Sequence, residues 1–412
     1  MRKKILSTFL CIVVCLATCV PAYAGEELAE IDTATEISLN DLEEATASTA
    51  RSSAIDTACY SVEELFDEYY QVSNVSGKVE SMEAVAGGIN VIVSVSYSTK
   101  IRAATPDDAP YIKGILAAME SLTDPLEIQK ANDYLTIWRG ELAREHIGKT
   151  LSHNASFSVF LPFASKGKAS TNVENNLAMD EVEIEVYTTI DTGETVISYE
   201  EPLSTLVPSE KEVMENARRD VLSIVGRRSQ IQSVQASSSS RAKELDRVDA
   251  AAYAKDEDNF PYGTKPDGTK YERFDGDCAN FVSQCYSAGG VEEDDPDDNV
   301  DNPWYPYSSI WTHTGGSRGS TEGVCDYMED HDIVFQVETG EWTRAFAGSI
   351  MYYPKSLTDT AHVGIITSND GQTAYYSAHT TDHCNEKLGS MKSLLDYYVP
   401  VWDSYTETWT PQ

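Results

Sequence analysis

Positive charge is scarce in this sequence. Its 412 residues include 31 lysines and arginines against 67 aspartates and glutamates, for a net charge of −36. So acidic a chain repels nucleic-acid phosphates, and no basic stripe offsets that repulsion. The same charge disfavours adhesion to an anionic membrane. The composition therefore predicts no nucleic-acid partner and a soluble, monomeric protein.

Cysteine is also scarce. Of eight cysteines, three fall within the first 24 residues, and five remain beyond them: Cys59, Cys278, Cys285, Cys325 and Cys384. Five in this length exclude a disulfide scaffold. An odd number in a secreted chain raises the question of a free reactive thiol. Whether Cys325 and Cys384 pair is left open by the sequence.

Long apolar runs are missing after the first twenty residues. Arg2, Lys3 and Lys4 precede an apolar stretch over residues 5–20, and Ala22-Tyr23-Ala24 follows it. This order is typical of a secretory signal peptide, predicted at 1–24, and the stretch is too short for a comfortable membrane span. We expect a secreted protein, extracellular or associated with the cell wall, without a membrane partner after cleavage.

Internal repeats of 20–50 residues are absent, which argues against a solenoid or propeller. Composition divides the rest of the chain into a disordered acidic spacer at 25–55 and an N-terminal α+β domain at 56–230. A serine-rich linker at 231–241 leads to a C-terminal domain at 242–412. The N-terminal domain shows no chemical constellation, and its role is left open between scaffold, inhibitor and binding module.

Periodicity supplies the elements of the N-terminal domain. Alternating apolar residues predict strands at 89–95, 157–161, 182–186 and 195–199, and helical spacing predicts helices at 108–122 and 125–147. A capping box from Ser209 to Glu212 opens a further helix, to about residue 227. His146 and His153 have no ligand spacing and are expected to be structural or surface residues.

The chemistry-bearing segment begins at Asp277-Cys278. Asp277 is a good helix N-cap, Phe281, Val282 and Cys285 fall on an inward side, and a glycine pair ends the helix after residue 288. Cys278 then lies in the first turn, where free N–H groups and the helix dipole stabilise a thiolate. The sequence predicts a lowered pKa for Cys278 and a nucleophilic role.

Two histidines are candidates for the base. His362 opens the apolar strand 362–366, and His379 closes the next strand after an Asn369-Asp370-Gly371 turn. Antiparallel pairing of these strands would bring the two rings together. We expect His362 to accept the proton of Cys278 and His379 to orient the ring of His362.

Residues 277–284, with the sequence DCANFVSQ, resemble the central motif of the bacterial Putative amidase domain family, a relative of the NlpC-type papain-like cysteine peptidases. Residues 244–254, 308–312, 362–365 and 379–382 resemble that family's other segments in order. Together these segments cover about two fifths of the chain. Ala279 stands where the family usually has threonine, and Gly348-Ser349 where it usually has glycine-aspartate.

The resemblance implies an α+β fold, with a cysteine-bearing helix packed on an antiparallel sheet that carries the histidine. It implies amide hydrolysis through a thioester on Cys278 with His362 as base and no cofactor. His379 is the third member, with Asp382 and Asn369 as nearby alternatives. A peptide or peptidoglycan stem peptide is the substrate that such relatives imply. The alternative is a catalytically inactive papain-like module that binds cell-wall peptides or a protein partner.

Oxyanion donors are expected from the Cys278 backbone N–H and from a side chain. Tyr262, Asn280 and Gln284 are the side-chain candidates for this role or for substrate contact. Asn280 and Gln284, one helical turn apart, have the alternative role of tying the helix to its neighbours.

Metal sites are weighed against these assignments. A calcium loop is a hypothesis for the alternating acidic positions Asp295, Asp297, Asn299 and Asp301, although Val300 replaces the usual glycine and a solvated loop is the simpler interpretation. His379, His383 and Cys384 have a spacing that permits zinc, but the cysteine motif already explains the thiol.

Overall fold

The computed structural model describes residues 44–163, 182–191, 196–203, 207–226, 244–259, 262–265, 267–297, 301–316, 322–353 and 361–401. The predicted signal peptide and the serine-rich linker lie outside these ranges, as does Asn299 of the calcium hypothesis. No described helix is both long and apolar enough to cross a membrane.

The N-terminal part is built on an antiparallel sheet whose strands lie in chain order. They are β1 (Tyr70–Val85), β2 (Gly88–Ile101), β3 (Leu151–Pro162), β4 (Glu183–Asp191) and β5 (Val196–Pro202). The predicted alternation is confirmed, because Val91, Val93 and Val95 in β2 and Phe157 and Val159 in β3 are fully buried on one face.

Helix α1 (Glu44–Phe66) covers that face. Ala50, Ala54 and Ala58 recur every four residues and are fully buried, so a stripe of methyl groups lets the helix approach the sheet closely. The predicted disordered spacer at 25–55 is therefore wrong for residues 44–55, which form the first half of this helix. Its alanines replace the large apolar residues from which a helix is usually recognised.

Three further helices pack together beside the sheet: α2 (Pro110–Met119), α3 (Pro125–Glu145) and α4 (Glu210–Gly226). Both helices predicted over 108–147 are confirmed. The capping box is confirmed as well, with Ser209 Oγ and Glu212 Oε2 2.7 Å apart and the Glu212 N–H donating to Ser209 Oγ at 3.3 Å.

The C-terminal part has a second antiparallel sheet, ordered β10-β9-β8-β7-β11-β6. Its strands are β6 (Val334–Val337), β7 (Ile350–Tyr353), β8 (His362–Asn369), β9 (Ala374–Ala378), β10 (His383–Lys387) and β11 (Asp396–Pro400). The helices of this part are α5 (Arg247–Lys255), α6 (Cys278–Ala288), α7 (Ser309–Thr312) and α8 (Val324–Asp330). The α+β class predicted from the sequence is confirmed.

Both faces of this sheet are buried. Val363 and Ile365 of β8 face α5 and α6, whereas Ile366 faces a second core that Ile137 of α3 borders. Burial on both faces explains why residues 363–366 of β8 form a continuous apolar run rather than an alternating one.

The N-terminal part packs on the end of the β8–β9 hairpin that is remote from His362. Tyr70 donates from its hydroxyl to Asp370 Oδ2 at 2.5 Å, and Tyr111 donates to the backbone oxygen of Thr343 at 2.9 Å. Asp370 lies in the hairpin turn, about 26 Å of strand from His362. Residues Ile37–Gln412 form one compact unit.

Candidate active site

Cys278 is the first residue of α6, which ends before Gly289 as the glycine pair predicts. Its side chain is buried in the core between α6 and the sheet, and the residue is 8% exposed. The backbone N–H of Val363, in the second position of β8, is directed at the thiol, as are the N–H groups of Ala279 and Cys278 itself. Cys278 therefore lies against the start of the strand that carries His362.

The predicted lowering of the Cys278 pKa is wrong. Burial raises the pKa of this thiol above its ordinary value, and the negative charge of Asp277 adds to the rise. The N–H groups of Val363, Ala279 and Cys278 act in the opposite direction, as a helix start should, but burial outweighs them. The surroundings of the sulfur therefore favour the neutral thiol over the thiolate.

His362 is the first residue of β8 and is 4% exposed. It pairs with Tyr353 of β7, whose ring centroid lies 5.6 Å from the imidazole. The next residue, Val363, contacts the Cys278 thiol through its backbone N–H, so His362 adjoins the Cys278 site along the backbone of β8.

His379 follows β9 and is 1% exposed. The predicted antiparallel pairing of β8 with β9 is confirmed, with Ile365 opposite Ser377. Continuing that register places His379 across from Val363, beside the thiol. Its Nδ1 lies 2.6 Å from Asp277 Oδ2, so this nitrogen is engaged with the residue before the nucleophile.

The two alternatives to His379 lie elsewhere. Asn369 is at the opposite end of β8, where its side-chain amide donates to the backbone oxygens of Trp342 and Ala345. Asp382 forms a bidentate ion pair with Arg273, at 2.9 and 2.5 Å.

The hydrogen bonds of Asn280 argue against its predicted role as an oxyanion donor. Its Nδ2 donates to the Glu272 carbonyl at 3.0 Å and to Asp277 Oδ1 at 2.8 Å, and its Oδ1 accepts from Trp311 Nε1 at 2.6 Å. No amide proton is left for a substrate. The alternative raised from the sequence, a tie between the helix and its neighbours, accounts for this residue.

Gln284 and Tyr262 differ in their surroundings. Gln284 is buried, and its Oε1 accepts from Tyr253 of α5 at 3.1 Å, which gives it the same tying role. Tyr262 is 51% exposed. The pKa of Arg273 is raised mainly by its hydrogen bonds with Asp382, and the charges of Asp277 and Tyr262 add to the rise. Tyr262 therefore lies within electrostatic range of Arg273 and stays a candidate for substrate contact.

Asp277 is the residue whose part the sequence does not reveal. It occupies the N-cap position but makes no side-chain cap hydrogen bond. Its Oδ1 instead accepts from Phe274 N at 3.0 Å and from Asn280, while Oδ2 holds His379. The sequence signal that could have revealed this role is an aspartate directly before the candidate nucleophile together with a histidine at the end of a strand.

Neither metal hypothesis gains support. Within the described part of the chain, no three His, Cys, Asp or Glu side chains lie close enough to hold a metal ion. Asp295 and Asp297 are exposed, and Asp295 accepts the N–H of Asp297 at 2.9 Å, as in an ordinary turn. The Cys384 thiol contacts the Lys255 carbonyl at 3.6 Å, and no disulfide joins the cysteines that the structure describes.

Residues 244–402 match the sequence model of the family described as Putative amidase domain. The resemblance inferred from the motifs is confirmed for this C-terminal part, and it supports amidase-type hydrolysis and hence a hydrolase-type enzyme. The comparisons with curated proteins and with solved structures found no match.

Proposed function

We propose that this protein is a secreted cysteine amidase that hydrolyses a peptide amide bond, with Cys278 as nucleophile and His362 as general base. The observation that carries the proposal is the placement of Cys278. Cys278 is the first residue of α6, within the segment that matches the amidase family. Its thiol contacts the backbone N–H of Val363, the residue after His362.

The raised pKa of Cys278 favours a mechanism that starts from the thiol. His362 accepts the thiol proton as the sulfur attacks the substrate carbonyl and a C–S bond forms. The carbonyl oxygen becomes an oxyanion, to which the Cys278 backbone N–H can donate at the start of the helix.

Collapse of this intermediate breaks the C–N bond, and the leaving amine takes the proton from His362. The acyl group stays on Cys278 as a thioester. His362 then removes a proton from water, which attacks the thioester. The C–S bond breaks, and the proton returns from His362 to the sulfur.

The substrate that we propose is an amide bond in peptidoglycan stem peptides, reached after export directed by residues 1–24. The amidase family match and the predicted signal peptide support it together. Tyr262 and Phe274, both exposed next to the site, are aromatic surfaces suited to a peptide or glycan-peptide. The net charge of −36 opposes approach to an anionic wall, so soluble wall fragments are the form of substrate favoured.

A non-catalytic peptide-binding module is the second candidate. It is favoured by one observation, the burial of Cys278, which raises the thiol pKa and limits access to the sulfur. Such a module would bind wall peptides without turning them over.

The test uses the chain from residue 25 to 412 and muropeptides prepared by muramidase digestion, with released fragments followed by mass spectrometry. We expect Cys278→Ala and His362→Ala to lower kcat/KM by about a thousandfold or more. Cys285→Ala, which changes a fully buried cysteine of the same helix, is the matched control and should keep turnover. Turnover that persists in Cys278→Ala would refute the cysteine mechanism. Equal muropeptide binding by wild type and Cys278→Ala without turnover in either would establish the binding module.

A further inference from the structure

The pair formed by Asp277 and His379 is not explained by the steps above. Both side chains are 1% exposed, and their contact joins residues 102 positions apart in the chain. We infer that Asp277 and His379 act as one buried positioning couple, which fixes the start of α6, and with it Cys278, against the ends of β8 and β9. The inference deepens the proposed function and rests on it.

Four contacts define the couple. Asp277 Oδ2 accepts from His379 Nδ1 at 2.6 Å, and its Oδ1 accepts from Phe274 N and Asn280 Nδ2. The Asp277 backbone N–H donates to Thr380 Oγ1 at 3.0 Å, beside His379. Both the backbone and the side chain that precede the nucleophile are therefore tied to the segment after β9.

The imidazole of His379 is also held by stacking. The rings of His379 and Phe281 lie 4.0 Å apart at an interplanar angle of 20°. Phe281 is one turn along α6 from Cys278 and is fully buried. His379 thus contacts the α6 segment twice, through Asp277 and through Phe281. A shift of α6 or of His379 would therefore move the sulfur relative to β8.

The contact fixes the tautomer of His379. A carboxylate can only accept, so the proton of the neutral ring lies on Nδ1. Under this inference His379 acts on the helix of the nucleophile, whereas the sequence predicted that it orients the ring of His362. The two roles require different nitrogens of His379 to be engaged, which makes them separable by substitution.

Charge gives the couple a second measurable property. Two titratable groups interact electrostatically with the thiol, Asp277 before α6 and Cys325 of α8. Asp277 in turn contacts His379 and acts on Arg273, and His362 precedes Val363, whose N–H meets the sulfur. Asp277 is the acidic member next in sequence to the sulfur, and its charge opposes thiolate formation. Neutralising Asp277 should therefore ease thiolate formation at Cys278.

The experiment measures alkylation of Cys278 by iodoacetamide from pH 6 to 10, by peptide mass spectrometry on residues 25–412. Asp277→Asn removes the charge, and we expect the apparent thiol pKa to fall. His379→Asn keeps an N–H near the Nδ1 position, and His379→Gln moves it toward Nε2. The effect of His362 on labelling is the drop in the alkylation rate of Cys278 that His362→Ala causes. We expect this drop to persist in the His379→Asn background. In the His379→Gln background we expect it to be lost, by about fivefold at neutral pH.

The protein contains a matched control pair. His383 Nδ1 and Glu386 Oε2 are 2.8 Å apart on β10, but both are more exposed than the couple. His383→Gln and Glu386→Gln should leave the labelling profile of Cys278 unchanged. Cys285, fully buried, should stay unlabelled in every variant whose fold is intact.

An unchanged or raised thiol pKa in Asp277→Asn would overturn the inference, as would retention by His379→Gln with loss in His379→Asn. Should Asp277→Asn label Cys285 and so prove unfolded, the two His379 variants decide alone. Failure of the proposed function gives a different result. In that case His362→Ala alone would leave the labelling of Cys278 unchanged, whereas Asp277→Asn would still shift the thiol pKa.

Discussion

Glu141 of α3 provides the sharpest test of how the two parts of the chain are held together. Its carboxylate is fully buried and accepts three hydrogen bonds. Oε2 accepts from Arg247 Nη1 at 3.1 Å and from Arg144 Nη2 at 3.0 Å, and Oε1 accepts from Ala347 N at 3.2 Å. Two of these donors belong to the C-terminal part.

Glu141→Ala leaves Arg247 buried without its carboxylate, because the Arg247 side chain is only 8% exposed. Removing one partner of a buried ion pair costs about 3–5 kcal/mol. Counting the two lost arginine hydrogen bonds at about 1.5–3 kcal/mol each gives an overlapping range of about 3–6 kcal/mol. We therefore expect the free energy of unfolding to fall by about 4 kcal/mol.

Guanidinium unfolding followed by tryptophan fluorescence measures this loss. Asp107→Ala is the matched control, because Asp107 binds Arg139 of the same helix at 2.6 Å with both side chains largely exposed, and it should lose less than about 1 kcal/mol. Glu141→Ala combined with Arg247→Met should recover part of the loss by removing the orphaned charge. A loss for Glu141→Ala no larger than that of the control would refute the reasoning.

Three further predictions concern the core and the interface. Gly364→Ala should reduce stability by about 1–3 kcal/mol and lower activity, because a Cβ would lie 2.9 Å from the Ser377 backbone oxygen; Gly276→Ala, whose Cβ meets nothing within 4 Å, should be tolerated in both assays. Burial raises the pKa of Asp220 from 3.8 to about 6, so the native state binds this proton more tightly and stability falls as pH rises from about 4 to 6. Asp220→Asn should remove about 3 kcal/mol of that fall, and unfolding curves at pH 4, 5 and 7 that parallel the wild type would contradict it. Burial lowers the pKa of His153 from 6.5 to about 3, so stability is lost as pH falls through this window, and thermal scans of His153→Gln should show a weaker acid loss.

Much of the fold follows from local pattern. The alternation along β2 and β3 predicts their buried faces, and the run around Cys278 predicts both ends of α6. These features could be predicted because a period of two or a glycine pair acts on neighbouring residues. Antiparallel pairing of β8 with β9 followed from the turn chemistry at Asn369-Asp370-Gly371.

The features that escaped prediction depend on distant partners. Asp277 was predicted to cap its own helix, but His379, 102 residues away, takes its carboxylate. Burial by the sheet, which no local pattern reveals, reverses the expected shift of the Cys278 pKa. The beginning of α1 was missed because its buried residues are alanines, which carry little hydrophobic signal. The close approach of sheet and helix that makes small residues suitable shows at Gly77 of β1, where a Cβ would lie 3.0 Å from Ile55 and 3.1 Å from Cys59 of α1.

The contacts of the N-terminal part with the β8–β9 turn show that the segment matched by the family model is not the same as the unit that is stable on its own. Similarity to the amidase family begins at residue 244, yet Glu141 and Tyr70 complete the burial of residues beyond that boundary. A fragment trimmed at 244 would hydrate Lys387, whose pKa burial now holds far below its usual range and whose ammonium lies 4.5 Å from the Phe66 ring. The segment that the family model recognises is thus smaller than the part of the chain whose contacts keep it folded. Any graft of the segment from residue 244 onward into another host has to bring the contacting surfaces of α1, β1 and α3 along or supply substitutes for them.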